Sequence, residues 1–437
     1  MIDNSYFLDE LKQLLSEEKY NLFLDTLDKP MAKALRINTK KTDYDFLNQY
    51  FDLSRNCVFD NNTYLIDSES KLGNHPFHNS GLYYLQEPSA TSAVNALEVE
   101  KDDYVLDLCG APGGKSTQIL NRLSENGFLL CNEYDKKRAN TYLSNLERWG
   151  YDNYMLTNSS TLSLCTQLVG VFDKVLVDAP CSGASMFKKY PETVKDYNLK
   201  LELACQKRQL EILDNAYLTL KENGVLVYST CTYNKYENED VIEKFLDKHS
   251  DMQLVDTGLS FGEKGFDSCQ LTTRIFPYHG GEGHFIAKMI KRSAIKPVKL
   301  KRLEFSKNKL VDEFIEENLK QNIKYTIISD KVYCSSEKLL ALNSNIIRSG
   351  ILLGTLVKNR FEPAHHGYIS YHFDKQLQLD DKKDVIDFLS GNCINKKGYK
   401  GYIQVTYKNQ PLGFVKGDGI VLKNHLPKGL RISQVMI

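Results

Sequence analysis

Tyr104-Val105-Leu106-Asp107-Leu108-Cys109-Gly110-Ala111-Pro112-Gly113-Gly114-Lys115-Ser116 decides the fold. Its first six residues form an apolar run of strand length. The glycines that follow let the backbone turn sharply and approach a ligand closely. A helix is expected from about Ser116. The phosphate-cradling pattern Gly-x-x-x-x-Gly-Lys-Ser/Thr is missed by one residue, because only three residues separate Gly110 from Gly114. A nucleoside site suits the loop better. Phe128 to Glu133 is a second strand-like run, and Glu133 ends it 26 residues after Asp107. That is where an acidic residue bonds ribose hydroxyls in dinucleotide-type folds.

Strand and helix signals go on alternating beyond this unit. Residues 153–157, 172–178 and 224–229 read as strands, and Lys136 to Trp149 as a helix. Leu203 to Leu220 reads as a long helix with Leu210, Leu213, Tyr217 and Leu220 on one face. Asn234, with Glu237 three residues later, has the pattern of a helix cap. Alternating β and α at this spacing predicts an α/β protein with a doubly wound parallel sheet.

Two of the predicted strands deliver a cysteine. Lys174-Val-Leu-Val177 leads into Asp178-Ala179-Pro180-Cys181-Ser182-Gly183. Gly224-Val-Leu-Val227 leads into Tyr228-Ser229-Thr230-Cys231-Thr232. Open α/β sheets collect chemistry at the carboxyl ends of their strands. Two thiols at one edge can therefore act on one substrate. The ordinary alternative is that both are small core residues.

The flanking regions differ in character. Residues 1–95 begin with helical spacing (Leu8, Leu11, Leu14, Leu15, then Phe23 and Leu27), followed by the strand-like Ala34–Thr39. After residue 290 the charge turns basic. Lys288, Lys291, Arg292, Lys296, Lys299, Lys301, Arg302, Lys307 and Lys309 face only Glu304. A helix is expected near 308–320 and a strand at Gly401–Tyr407. The last segment is again basic, with Tyr399, Tyr402 and Tyr407 interleaved, a composition suited to a polyanion. The expected organisation is an extension over 1–95, a catalytic α/β domain over 96–290, a basic linker over 291–310 and a C-terminal α+β region over 311–437.

The 437 residues carry no net charge, and 42% of them are hydrophobic, as in an ordinary globular chain. No apolar run has the length of a membrane span. Met1 to Ser5 do not start a signal peptide. Ten scattered cysteines without a Cys-x-x-Cys pair argue against zinc ribbons and a disulfide framework. A reducing cytoplasm, no membrane, no metal and a monomer are the expectations.

Taken together, these motifs resemble the Nop2/Sun (Fmu) family of RNA cytosine-5 methyltransferases. The resemblance rests on Asp107–Ser116, Asp178–Gly183, Ser229–Thr232, Tyr83–Ala90, Arg274-Ile-Phe-Pro277 and Gly281-Glu-Gly-His-Phe285. Pro411-Leu-Gly413 and Leu422–Arg431 are similar to the PUA-like RNA-binding domain of the bacterial ribosomal-RNA branch. The resemblance implies a Rossmann-like domain, S-adenosylmethionine as cofactor and RNA as partner, with small-subunit ribosomal RNA favoured over transfer RNA. It implies that Cys231 is the nucleophile for carbon 6 of cytosine, that Cys181 assists release, and that Asp178 holds the N3/N4 edge of the base. Cofactor contacts are implied for Cys109, Gly110, Ala111, Pro112, Gly113, Gly114, Glu133 and Asp178. Lys115 would face either the cofactor loop or the RNA.

Two departures from the family pattern stand out. No acid follows the third strand, where Leu156-Thr157-Asn158-Ser159-Ser160 leaves Asn158, Ser160 or a backbone group for the adenine. Ala184-Ser185 follows Gly183 where relatives continue Glu-Gly or Thr-Gly. Two other readings are an amino-group methyltransferase and a non-catalytic ribosome-assembly factor. The first lacks its Asp/Asn-Pro-Pro-aromatic turn, and the second would have no use for two intact thiols.

Overall fold

The computed structural model describes residues 3–319, 321–336 and 339–436. Tyr104–Asp107, Phe128–Asn132, Tyr154–Thr157, Phe172–Asp178 and Leu220–Thr230 are the parallel strands of one sheet. Their order across the sheet is 220–230, 172–178, 104–107, 128–132, 154–157. Both faces are covered. Leu106, Leu130, Met155 and Val175 point into one apolar cluster, and Val105, Leu129, Leu156 and Leu176 into the other. This burial on both sides is why the strands read as continuous apolar runs rather than alternating ones. His284–Lys291 extends the sheet antiparallel to Leu220–Thr230.

The chain reverses its direction of winding between Tyr104–Asp107 and Phe172–Asp178. The glycine loop and the Cys181 loop leave the sheet there, side by side. Such a switch point is the usual ligand crevice of an open α/β sheet.

The long helix runs over Leu199–Thr219, and its buried stripe is Gln206, Gln209, Ile212, Leu213 and Ala216. Leu210 and Tyr217 only flank it. Polar Gln206 and Gln209 hold the stripe because their amides bond inward to Tyr236 O and to Glu237. The proposed cap at Asn234 is displaced. Asn234 and Glu237 bond each other within a loop, and the next helix begins at Glu239 with Asn238 as its cap residue.

Ahead of the sheet, Ser5–Leu14 and Glu17–Leu27 form a helical pair, with Asn4 and Ser16 as side-chain caps. Lys33–Ile37, Thr63–Ile66 and Tyr83–Gln86 form a small antiparallel sheet. Arg36 from this sheet is buried between the Tyr84 and Trp149 rings. It donates to Gly114 O at 2.8 Å and to Thr117 Oγ1 at 2.7 Å, which ties the extension to the glycine-loop helix Gly114–Leu120. Helix Ser92–Leu97 packs into the main core, so residues 92–95 go with the central sheet and not with the extension.

The C-terminal region makes two four-stranded sheets. Tyr325–Ile328, Lys331–Cys334, Ile351–Val357 and Arg360–Pro363 form the first. Gln376–Gln378, Lys400–Tyr407, Gln410–Asp418 and Leu422–Asn424 form the second. Ile346–Ser349 leaves this region and pairs with Tyr154–Thr157 as an edge strand of the central sheet. The second small sheet shares an apolar cluster with the N-terminal sheet, through Leu35, Phe77, Val405 and Leu412. Among the described residues no helix is long and apolar enough to cross a membrane, and no group of three or more metal-ligating side chains occurs.

Candidate active site

Strands Phe172–Asp178 and Leu220–Thr230 are direct neighbours, and Asp178 pairs with Ser229. The loops that continue them run side by side. The Cys181 and Cys231 sulfurs come within 3.3 Å as free thiols. Sequence reasoning placed both at one edge; the structure brings them into contact.

Glu237 clamps the two loops together. It accepts from Ser182 N at 2.9 Å, from the Ser182 hydroxyl, from Gln209 at 2.8 Å and from Asn234 at 2.8 Å. Gln209 also donates to Pro180 O, and Ser185 N to Cys231 O. Burial pushes the Glu237 carboxyl up, and these donors oppose that push. Glu237 thus links the Cys181 loop to the loop that follows Cys231.

Asp178 and Lys115 lie beside the thiols. Lys115 Nζ is 2.8 Å from Asp178 Oδ2, and Ser229 Oγ donates to Asp178 Oδ1 at 2.7 Å. Burial alone would raise the Asp178 carboxyl. The Lys115 ammonium wins and holds it below the usual carboxylate range. Lys115 is raised in turn, since Asp178 outweighs the burial that would lower it. Behind Lys115 stands His284, its Nε2 at 3.5 Å. Burial, then Lys115, pushes His284 down to about 3, so it is neutral and accepts from the ammonium. His284 Nδ1 is 3.2 Å from Ser89 Oγ, which bonds Glu87. Glu87 also takes Ser89 N, Ala90 N and Glu282 N. The Tyr83–Ala90 and Gly281–Phe285 motifs thus meet behind the site. Gly281 must be glycine, because a Cβ would come within 2.7 Å of Glu87 Oε1.

The two thiols are electrostatically unlike. Cys231 is lowered by the Cys181 hydrogen bond first, and the Lys115 ammonium lowers it further. Cys181 is raised well above a free thiol by the Cys231 hydrogen bond, by burial and by the charges of Cys231 and Glu237. Of the two, Cys231 is the more readily ionised, with Cys181 as the hydrogen-bond donor of the pair. A thiolate is the nucleophilic form of cysteine.

The glycine loop sits where the crevice opens. Gly113 has φ +108°, and a Cβ on Gly110 would collide with Tyr142 and Asp107. Asp107 is buried, and desolvation raises it to about 7 while Ser116 opposes that shift. Glu133 is 5% exposed. Its Oε1 accepts from Asp135 N, while its Oε2 is buried without a hydrogen-bond partner, 3.6 Å from Arg138. Asn158 donates to the carbonyls of Glu133 and Tyr134, both at 2.7 Å. Ser160 is exposed and caps helix Thr161–Cys165.

Comparison with known proteins identifies the family. The family described as 16S rRNA methyltransferase RsmB/F matches residues 94–290. The RsmF N-terminal, first C-terminal and PUA domains match 4–88, 304–366 and 376–432. Ribosomal RNA small subunit methyltransferase F of Shewanella piezotolerans is 30% identical over 98% of this chain and 97% of its own length. The chain belongs to this methyltransferase F family. The Shewanella pealeana member is 28% identical, again over 98% and 97%. A solved methyltransferase homolog protein from Pyrococcus horikoshii is 28% identical, with a TM-score of 0.55 over 66% of this chain and 99% of its own. NSun6 from the same organism, solved with SFG, has a TM-score of 0.59 at 21% identity over 66% and 98%, and shares the fold.

The resemblance implies S-adenosylmethionine as the cofactor, and the residues present fit that group. The unsatisfied Glu133 Oε2 suits a ribose hydroxyl. The glycines of the loop let its backbone pack closely against Tyr142, Asp107 and Tyr84, where a Cβ would collide or crowd. Lys115 and Asp178 act electrostatically on both Cys231 and Asp107, the strand-end carboxylate before the glycine loop. Lys115 was expected at the cofactor loop or the RNA; His284 and Glu237 are the functional residues that sequence reasoning missed.

Proposed function

We propose that the protein methylates carbon 5 of a cytosine in 16S ribosomal RNA, through a covalent adduct between Cys231 and carbon 6. The observation that carries this reading is the 3.3 Å pair of unlike thiols beside the Lys115–Asp178 ion pair. Cytosine carbon 5 is a poor nucleophile until a thiolate adds to carbon 6 and makes the ring an enamine. Cys231 supplies the thiolate. Asp178 is ionised and can only accept a hydrogen bond, so it suits the N4 amino group. The N3 edge is itself an acceptor, and the Lys115 ammonium is the donor that meets it and stabilises the charge developing on the ring. S-adenosylmethionine, held by the glycine loop and Glu133, supplies the electrophilic methyl group.

Release is the task of Cys181. Once the Cys231 sulfur is a neutral thioether, the negative charge that raised Cys181 is gone. Cys181 then loses its own proton to solvent more readily, and the resulting thiolate accepts the carbon 5 proton. The electrons of that C–H bond re-form the ring double bond and expel Cys231. The expected outcomes follow: Cys231→Ala abolishes methyl transfer from labelled cofactor, and Cys181→Ala leaves enzyme attached to RNA as a retained band on a denaturing gel. Methyl transfer by Cys231→Ala at the wild-type rate would end this mechanism.

A further inference from the structure

A groove of about 520 Å³ opens between the end of helix Glu17–Leu27 and the turn Pro191–Asp196. Its floor is apolar, made by Met31, Phe187 and Val194. Above the floor stand Lys29, Lys188 and Lys195, against one carboxylate, Asp3. Lys188 is committed to Glu282 at 3.1 Å. Lys29 and Lys195 are exposed and form no salt bridge among the described residues.

The groove joins the thiol site through two short stretches of chain. Phe187 lies six residues after Cys181 on the same loop, and that loop is tied back by Ser185 N to Cys231 O at 3.1 Å. Glu282, the partner of Lys188, lies two residues before His284, which touches Lys115. The helical pair that forms the other wall packs on this loop through Phe7, Phe23, Phe187 and Tyr197.

We infer that this groove takes the base of a nucleotide flanking the target cytosine together with the two phosphates that border it. This assignment rests on RNA being the substrate. The volume falls in the range of small-molecule sites, about 300–1000 Å³. A nucleotide offers a flat apolar face bounded by phosphates. An apolar floor under unpaired lysines complements both parts. A base drawn out of its stack needs its neighbours held elsewhere, and this groove lies within a few residues of the thiol loop.

The test uses the full chain. Lys29→Ala/Lys195→Ala removes two cations outside the chemistry, and Met31→Glu places a charge on the floor. In the double variant the logarithmic salt dependence of binding to a short single-stranded RNA flattens by about 1.4, from two phosphates at about 0.7 each. Its S-adenosylmethionine affinity and melting temperature stay at wild-type values. In a second measurement, 4-thiouridine placed at successive positions beside the cytosine crosslinks to the Met31 or Phe187 peptide from one register, and Met31→Glu loses that crosslink. An unchanged salt slope, or crosslinks spread evenly over registers, would overturn the assignment. Methyl transfer by Cys231→Ala alongside a single-register crosslink would remove the covalent mechanism and leave the groove assigned.

Discussion

Lys115 is the cation on which the thiol site turns. It holds Asp178 ionised at 2.8 Å and lowers Cys231, while neutral His284 supports it from behind. Lys115→Gln keeps a hydrogen-bonding chain of similar length and removes the charge. A thiolate that loses a nearby cation becomes harder to form, so the Cys231 midpoint moves up. Iodoacetamide labelling of the Cys231 peptide across pH, followed by mass spectrometry, measures it. An unchanged midpoint would show that the Cys181 hydrogen bond alone sets the thiolate. Cys181, Cys231, Asp178 and Glu133 were legible in the sequence because each ends or closely follows a strand, and strand ends converge at one edge. His284 and Glu237 were not. Each acts on a residue far away in sequence, His284 on Lys115 and Glu237 on Ser182, and no local pattern encodes those approaches.

The five parallel strands were readable as elements because burial on both faces makes unbroken apolar runs. The helix after Asn234 was misplaced because its cap pattern closes on itself in a loop that serves Glu237. Ile346–Ser349 was unreadable as a central strand, since its partner Tyr154–Thr157 lies almost two hundred residues earlier. Another pairing of elements rests on a buried ion pair. Arg274, on strand Thr273–Ile275, bonds Glu239 on helix Glu239–Lys248 at 2.7 Å, and also Tyr233 O at 2.6 Å. Both side chains are almost fully buried. Arg274→Met leaves a buried carboxylate uncompensated, and we expect a loss of about 3–5 kcal/mol in urea unfolding. Arg274→Met/Glu239→Leu removes both charges and recovers most of that loss. If the double variant is no more stable than the single, the arginine acts through its bond to Tyr233 O and not through the charge pair.

At the scale of the whole molecule, the structure changes where RNA is expected to lie. The basic stretch 288–309 was the natural candidate for an RNA anchor. Lys288 is instead buried against Glu98 at 2.7 Å, Lys291 stacks 4.0 Å over Tyr217, and Arg302 lies 5.5 Å over Tyr104. These contacts, with Val298 N on Val169 O and Leu303 N on Leu339 O, draw the linker along the amino ends of the strands. The thiols stand at the opposite, carboxyl edge. Removing the chain beyond Met289 would also remove Ile346–Ser349 from the central sheet and Leu339 and Leu340 from its core, so it does not isolate the linker. Substitution of the exposed lysines does. Lys296, Lys299, Lys301 and Lys307 point to solvent while Val298, Leu300 and Leu303 pack inward. Changing all four lysines to Ala should leave folding intact and shift the salt slope of RNA binding by less than the about 0.7 of a single phosphate contact. A slope flatter by about 2.8 would mean that all four neutralise phosphates. The RNA would then wrap from the thiol edge to the amino edge, a longer path than the chemistry at Cys231 requires.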